Sequence, residues 1–297
     1  MKNKEILGVI GYPLKHSLSP ALHNYLCKEL GLNYVYRTFE IHPGALEKIF
    51  NLEILKKIRG FNVTSPFKEK IKHYIRDFSQ ESLTSGSVNT VLNSGDGLKG
   101  FDTDGIGFKK SILSRGIDIR DKRAVIIGAG GAARSVICAL IQMGIKRITV
   151  MNRTPRRGEK VVKQLTMTTG FNNMNSSELS ALNIKKELNE ADLVINATPA
   201  GMYPDTKTSP IPGYDLSSIT AGTELFHSHQ IVYDLIYNPP ETALMKMASY
   251  CGAKYIGGLD MFIFQALESF KLWTGVELDE EKRFTQLKKY LKRVMEI

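Results

Sequence analysis

The sequence predicts an α/β fold made of two α/β domains. Three observations carry this. Strand-like and helix-like patterns alternate almost throughout, a glycine-rich turn joins an apolar strand to a helix near mid-chain, and 297 residues with 42% apolar content suffice for two cores.

"EILGVIG" (5–11) reads as a strand, and "PALHNYLCKEL" (20–30) as a helix closed by Gly31. "YVYRTFEI" is a strand, and "GALEKIFNLEILKKI" has the apolar spacing of a helix. "RGFNVT" is a strand, "FKEKIKHYIRDF" a helix, and "SVNTVLN", Gly-Asp-Gly and "LKGFD" a hairpin. These complete a first α/β layer. A second block begins after "TDGIG", where "KRAVIIGAGGAARSVICALIQMG" reads as strand, turn, helix and terminating glycine. "RITVMN", "ADLVINATP", "IVYDLIY" and "AKYIGG" are its further strands. "TMTTGFNNMNSSE" and "GMYPDTKTSPIPGYD" read as surface loops. After Gly258 the chain turns helical through "LDMFIFQALESFKLW" and stays so to its end, and no internal repeat is found.

Composition narrows the function. No apolar run approaches the roughly 18 residues that span a bilayer, and the N-terminal apolar patch is too short for a secretory signal. Three scattered cysteines (Cys27, Cys138, Cys251) suggest neither a disulfide framework nor a metal site, so a reduced, cytoplasmic protein is expected. The formal charge of +10 suits an anionic ligand. Much of it falls on amphipathic helices, with no nucleic-acid-binding motif beside it, so neither nucleic acid nor membrane is the expected partner.

"IIGAGGAARS" fits G-x-G-x-x-A with Gly128, Gly130 and Ala133, between strand and helix. Gly128 allows the tight turn, Gly130 lets a pyrophosphate approach the backbone, and the small Ala133 lets helix pack on strand. A Rossmann-type doubly wound nucleotide-binding domain follows. The next strand ends "VMNRTPRR", where an NAD-selective site wants an acid. Neutral Asn152 followed by Arg153, Arg156 and Arg157 suits a 2′-phosphate instead, so NADP (NADPH) is the expected cofactor.

The substrate side offers several candidates. In "KHSLSPALHN", Ser19 with Pro20 makes an ordinary helix start, yet Ser17 and Ser19 at a helix N-terminus equally make a carboxylate site. Asn62, Thr64, Asn89, Thr90 and Asp104 could serve a polyhydroxylated ligand or ordinary turns and edges. Gln265 is a lone polar residue on an apolar helix face, where it would more often satisfy a backbone group. His227 and His229 have no metal-ligand neighbours in sequence, so no metal is assigned.

The ordered set "SLSPALHN", "GFNVTSPFK", "GSVNT", "TDGIG", "GAGGAARS", "NRT", "NATPAGM", "YDLIYNP" and "MFIFQAL…LWTG" resembles the shikimate dehydrogenase family, with its quinate/shikimate dehydrogenase relatives, over nearly the whole chain. The resemblance implies NADPH-dependent, reversible reduction of 3-dehydroshikimate to shikimate in aromatic amino-acid biosynthesis. It implies a substrate-binding, catalytic domain from residues 1–104 plus 258–297, the C-terminal helices returning to it, and an NADP-binding domain over 105–257. It implies that Ser17, Ser19 and Tyr237 hold a carboxylate, that Asn62, Thr64, Asn89, Asp104 and Gln265 bind hydroxyls, and that Lys68 and Asp104 form the catalytic pair. Gly128, Ala129, Gly130, Gly131 and Ala132 would cradle the pyrophosphate, Asn152, Arg153, Thr154 and Arg157 the 2′-phosphate, and Thr198, Met202 and Gly257 the nicotinamide. A small-molecule substrate is implied, and a homodimer is admitted.

Two positions depart from the family pattern: Asp102 stands where N-T-D-G is usual, and Asp260 interrupts the commoner G-x-G-M-L. A carboxylate beside Lys68 would favour the ammonium and burial the neutral amine, so the two effects oppose each other. Quinate differs by a hydroxyl on the carboxylate-bearing carbon, which places discrimination near Ser17, Ser19 and Tyr237. A dual-specificity dehydrogenase is the alternative enzyme, and a non-catalytic dinucleotide sensor, which need not keep Lys68 or Asp104, the alternative of another class.

Overall fold

Strand β1 (Glu5–Gly11) buries five consecutive residues from Leu7 to Gly11, a pattern that requires cover on both faces of a sheet. It lies between β2 (Tyr34–Glu40) and β3 (Ile58–Val63), parallel to both. The hairpin β5 (Thr90–Asn93) and β6 (Leu98–Phe101) adds two antiparallel strands, and the two-residue β4 (Asp77–Phe78) closes the far edge, giving the order β2-β1-β3-β5-β6-β4. The computed structural model describes residues 4–47, 57–214, 217 and 225–295. It divides into two compact units, Met1–Gly107 with Ile263–Ile297, and Phe108–Phe262.

In the first unit, helix α1 (Ser19–Glu29) packs on β2. The short α2 (Gln80–Ser85) is capped by the Ser79 hydroxyl and closed by Gly86 in the left-handed region. Trp273, near the end of the helix over 259–274, is fully buried and donates its indole N–H to Val91 O at 2.9 Å. Gly60 makes room for that ring, since a Cβ there would lie 2.1 Å from Trp273 Cδ1.

The second unit holds a wholly parallel sheet. Its strands are β7 (Arg123–Ile127), β8 (Arg147–Asn152), β9 (Met174–Glu178), β10 (Leu193–Asn196), β11 (Ile231–Asp234) and β12 (Lys254–Gly257), in the order β12-β11-β10-β7-β8-β9. The chain therefore winds outward from β7 in one direction, then returns to its other side, with the switch between β7 and β10. Helices α4 (Gly131–Gln142), α5 (Pro155–Thr169), α6 (Ala181–Glu190) and α7 (Ala243–Tyr250) connect the strands. Helix α3 (Asp104–Leu113) precedes this sheet, and α8 (Leu259–Thr274) and α9 (Glu280–Val294) follow it. No helix among the described residues is long and apolar enough to cross a membrane.

Four expectations are corrected. "FKEKIKHYIRDF" is not a continuous α-helix: a 3-10 turn spans Ile71–Tyr74, and Asp77–Phe78 leaves it to pair with β6. Phe67, Ile71 and Ile75 are all buried at helical spacing, so the turn satisfies the apolar pattern while pairing takes the rest. "TMTTGFNNMNSSE" is not one loop, because α5 runs to Thr169, Gly170 closes it, and Met174–Glu178 pairs with β8 as an edge strand. Only Met174 is buried in that strand, so it carries no apolar signature. The C-terminal helical run breaks at Gly275, and Asp279 caps a separate α9. Leu18, one residue before Ser19, is the N-cap of α1, a one-place difference at a boundary that frays by nature. Most of the helix expected over 44–58 lies outside the described residues, and Ile58 already begins β3.

His23 on α1 is fully buried, stacked on Tyr36 with centroids 4.4 Å apart and tilted against Trp273 at 5.2 Å. Burial pushes its imidazole down to about 3, with Asn62 opposing. Below its unfolded value near 6.5 the unfolded histidine takes a proton that the folded one refuses, so acidification favours unfolding. The contribution to stability is fully present above pH ~6.5 and declines as pH falls toward the folded value. His23→Phe is expected to remove about 2 kcal/mol of the stability lost between pH 7 and pH 5. Urea unfolding of both proteins at both pH values measures this, and an identical pH dependence in the variant would refute it.

Candidate active site

In the first unit, polar side chains converge at the ends of β3, β5 and β6. Lys68 follows the turn after β3, where its carbonyl accepts from Val88 N at 2.9 Å. Its ammonium donates to Asp104 Oδ2, with 17% of the Lys68 side chain and 7% of that of Asp104 exposed. Asp104 occupies the first turn of α3, where the helix dipole favours a carboxylate. Its other oxygen accepts from Asn89 Nδ2 at 2.8 Å. The same Asn89 amide reaches Thr103 Oγ1 at 2.9 Å and Gln265 Oε1 at 3.3 Å, and Asn89 Oδ1 accepts from Thr103 N at 2.8 Å.

Behind this lies Asn62, which donates to Asn89 O, Thr90 Oγ1 and Ser269 Oγ at 3.1–3.2 Å and accepts from Tyr36 Oη at 2.7 Å. Its amide is saturated by the protein. Lys68, Asp104, Asn89, Asn62 and Gln265 are thus brought together. Thr64, half-buried, stands at the end of β3 with its N–H on Ile10 O. Gly11 admits it, because a Cβ there would lie 2.2 Å from Thr64 Cγ2. Ser17 and Ser19 sit together at the start of α1, with Ser19 N 3.4 Å from Ser17 Oγ and no acid in that first turn. The Glu40 carboxylate accepts from Leu14 N at 2.7 Å and so anchors the loop that carries both serines.

Sequence reasoning missed Thr103, Ser269 and Tyr36. Ser269 was findable: it lies four residues from Gln265, so the two polar groups share one face of an otherwise apolar helix. The departure at Asp102 is buried. Its carboxylate accepts from Ser85 Oγ at 2.6 Å and from Asp104 N at 3.2 Å, holding the start of α3.

In the second unit, Gly128 follows β7 with φ +116°, and Gly130 is the N-cap of α4. A Cβ at Gly130 would meet nothing within 4 Å, and neither a side-chain cap nor a first-turn acid occupies this helix end. The N–H groups of Gly130, Gly131 and Ala132, beside Ala129, therefore suit an anionic pyrophosphate. A Cβ at Gly128 would lie 2.9 Å from Ala197 O and 3.1 Å from Thr198 Cγ2, so the turn abuts the loop after β10, at the sheet's switch point.

Asn152 ends β8 and donates to Thr154 O at 2.9 Å. Exposed Arg153, Arg156 and Arg157 cluster at the start of α5, a helix end where the dipole disfavours cations and no acid offsets them. A bound phosphate would offset the arginines and the helix end together. Met202 is exposed, its N–H on Pro199 O at 3.0 Å, and Gly257 ends β12. Tyr237 stacks on Phe262 with centroids 4.5 Å apart. Asp260 is buried and accepts from Arg115 Nη2 at 2.6 Å, so this departure is neutralised by a partner within its own unit.

Three family models match the chain: the shikimate dehydrogenase substrate binding domain over residues 9–91, shikimate / quinate 5-dehydrogenase over 109–208, and the shikimate 5′-dehydrogenase C-terminal domain over 258–282. The chain is 38% identical to shikimate dehydrogenase (NADP(+)) of Alkaliphilus metalliredigens, over 98% of this chain and 96% of that protein. It is 39% identical to the enzyme of the same name from Methanopyrus kandleri, covering 93% of this chain and 92% of that one. Among solved structures it is similar to shikimate 5-dehydrogenase from Thermus thermophilus in complex with NADP(H) and shikimate. That likeness has 30% identity and a TM-score of 0.78, over 96% of this chain and 99% of the other.

Proposed function

The chain belongs to the shikimate dehydrogenase family, and on that premise we propose that it interconverts 3-dehydroshikimate and shikimate with Lys68 and Asp104 as its catalytic pair. One observation carries the assignment: the Lys68 ammonium, partly open to solvent, rests on a buried Asp104 whose other oxygen is held by Asn89.

NADPH, when bound, supplies the hydride that reaches the substrate's carbonyl carbon. Lys68 donates a proton to the carbonyl oxygen as it becomes a hydroxyl, and takes one back in the oxidising direction. Asp104 holds the amine in place by its hydrogen bond, while Asn89 fixes the carboxylate's orientation. Gln265 and Thr64 offer polar groups to the substrate hydroxyls, and Ser17, Ser19 and Tyr237 take its carboxylate. Asn62, its amide already saturated, supports this polar floor rather than reaching the ligand.

On the cofactor side, Gly128, Ala129, Gly130, Gly131 and Ala132 hold the pyrophosphate, and Thr198, Met202 and Gly257 the nicotinamide. Asn152, Arg153, Thr154 and Arg157 take the 2′-phosphate, which makes NADP the cofactor. The first unit then carries Lys68, Asp104 and most of the substrate residues, and the second the dinucleotide residues together with Tyr237. Free cysteines throughout accord with a cytoplasmic setting.

Nicotinamide absorbance, with shikimate and quinate crossed against NADP+ and NAD+, tests the reading. Reduction of NADP+ by shikimate is expected, with quinate and NAD+ much poorer; comparable turnover of quinate would place the protein in the dual-specificity branch. Lys68→Ala should lower kcat by roughly 10²–10⁴-fold with little change in KM. A loss confined to KM would reduce Lys68 to a binding residue. Arg157→Ala should raise the KM for NADP+ by about tenfold or more while leaving that for NAD+ unchanged. Equal effects on both cofactors would remove Arg157 from the phosphate site.

A further inference from the structure

Asp234, at the end of β11, is fully buried with no ion pair to a cation among the described residues, yet every hydrogen bond it accepts comes from a loop that carries a candidate ligand residue or from its support. Oδ1 accepts from Asn196 Nδ2 and from Ile236 N, both at 3.0 Å, and Oδ2 from Thr242 Oγ1 at 2.7 Å. Asn196 is its register partner across the parallel pair β10–β11. The remaining Asn196 amide hydrogen goes to Ala200 O at 3.3 Å, and Asn196 Oδ1 accepts from Thr198 N at 2.9 Å and Thr198 Oγ1 at 2.7 Å.

The chemistry of this relay runs one way. A carboxylate opposite Asn196 attracts the NH₂ side of the amide and repels its oxygen, so the amide cannot flip. Its oxygen must then face Thr198, whose hydroxyl hydrogen is thereby committed. That hydroxyl accepts from Ala200 N at 3.2 Å and keeps only acceptor capacity for anything else. On the other side, the bond from Ile236 N ties down the loop that bears Tyr237. Tyr203 N to Asn238 O, at 3.3 Å, links the two loops a second time.

We propose that Asp234 is a positioning residue that sets the loops after β10 and β11, and through Asn196 presents Thr198 as a hydrogen-bond acceptor for the carboxamide N–H of the nicotinamide. This rests on the placement of the nicotinamide at Thr198 and Met202 given above. Burial pushes Asp234 up to about 7 against the hydrogen bonds from Thr242, Ile236 and Asn196, so an uncharged amide is a close substitute for it.

The test is equilibrium binding of NADP+, of its 3-acetylpyridine analogue, in which a methyl ketone replaces the carboxamide N–H donor, and of 2′,5′-ADP. The wild-type protein is expected to bind NADP+ about three- to tenfold more tightly than the analogue. Asp234→Ala should bring that ratio close to one while 2′,5′-ADP affinity stays within about twofold, and Asp234→Asn should keep the wild-type ratio. If Asp234→Ala does not fold, Asn196→Ala breaks the same link from the neighbouring strand and must produce the same loss. A wild-type ratio of one, a ratio unchanged in the alanine variants, or a parallel fall in 2′,5′-ADP affinity would each overturn the proposal. Shikimate turnover by the wild-type protein is scored separately, so failure of the relay and failure of the proposed reaction give different results.

Discussion

A polar side chain taken out of water must find partners, and this requirement organises both units. In each, asparagines and aspartates stand buried at or beside strand ends. Asn62 and Asn89 do this in the first unit, Asn196 and Asp234 in the second. Each is saturated by neighbours on other elements, so its rotamer is set, and the loop that begins beside it is set as well. Rigid strand ends thus hand their order to the loops that carry the chemistry.

The Lys68–Asp104 pair shows how that order is used. An exposed lysine and carboxylate would contribute little and drift apart. Here the carboxylate has one oxygen fixed by Asn89 and sits at a helix N-terminus, while Asn89 is itself held by Thr103. The lysine side chain keeps more exposure than the carboxylate, 17% against 7%. The pair is therefore rigid at the acid and accessible at the base.

The two acidic departures from the family pattern illustrate the same rule from the other direction. An added carboxylate is tolerated where it acquires donors: Asp102 takes Ser85 and the N–H of Asp104, and Asp260 takes Arg115 at the start of α8. Asp102 thereby supports the helix that carries Asp104. The helix-end arginines of α5 are the contrary case, since no acid in that helix's first turn offsets them against the dipole. An anionic ligand is the reasonable complement.

Much of this was legible in the sequence. Long apolar strands such as β1, β7 and β10, and the glycine turn at 128–130, declare themselves because their constraints are local: consecutive burial, a left-handed glycine, a helix start. Resemblance named Lys68, Asn89, Asp104 and Gln265 in advance, and they do converge. The edge strand at 174–178, the 3-10 turn at 71–74 and the Ser85 donor to Asp102 were not legible, because each is decided by a partner remote in sequence: β8, β6 and Ser85. By itself the sequence determined the class of fold and the glycine turn, and it named the candidate reactive groups. Only the tertiary structure decided which polar groups are spent on one another, as at Asn62, and which keep some exposure, as at Lys68, because hydrogen-bond saturation is a property of neighbours that no local pattern contains.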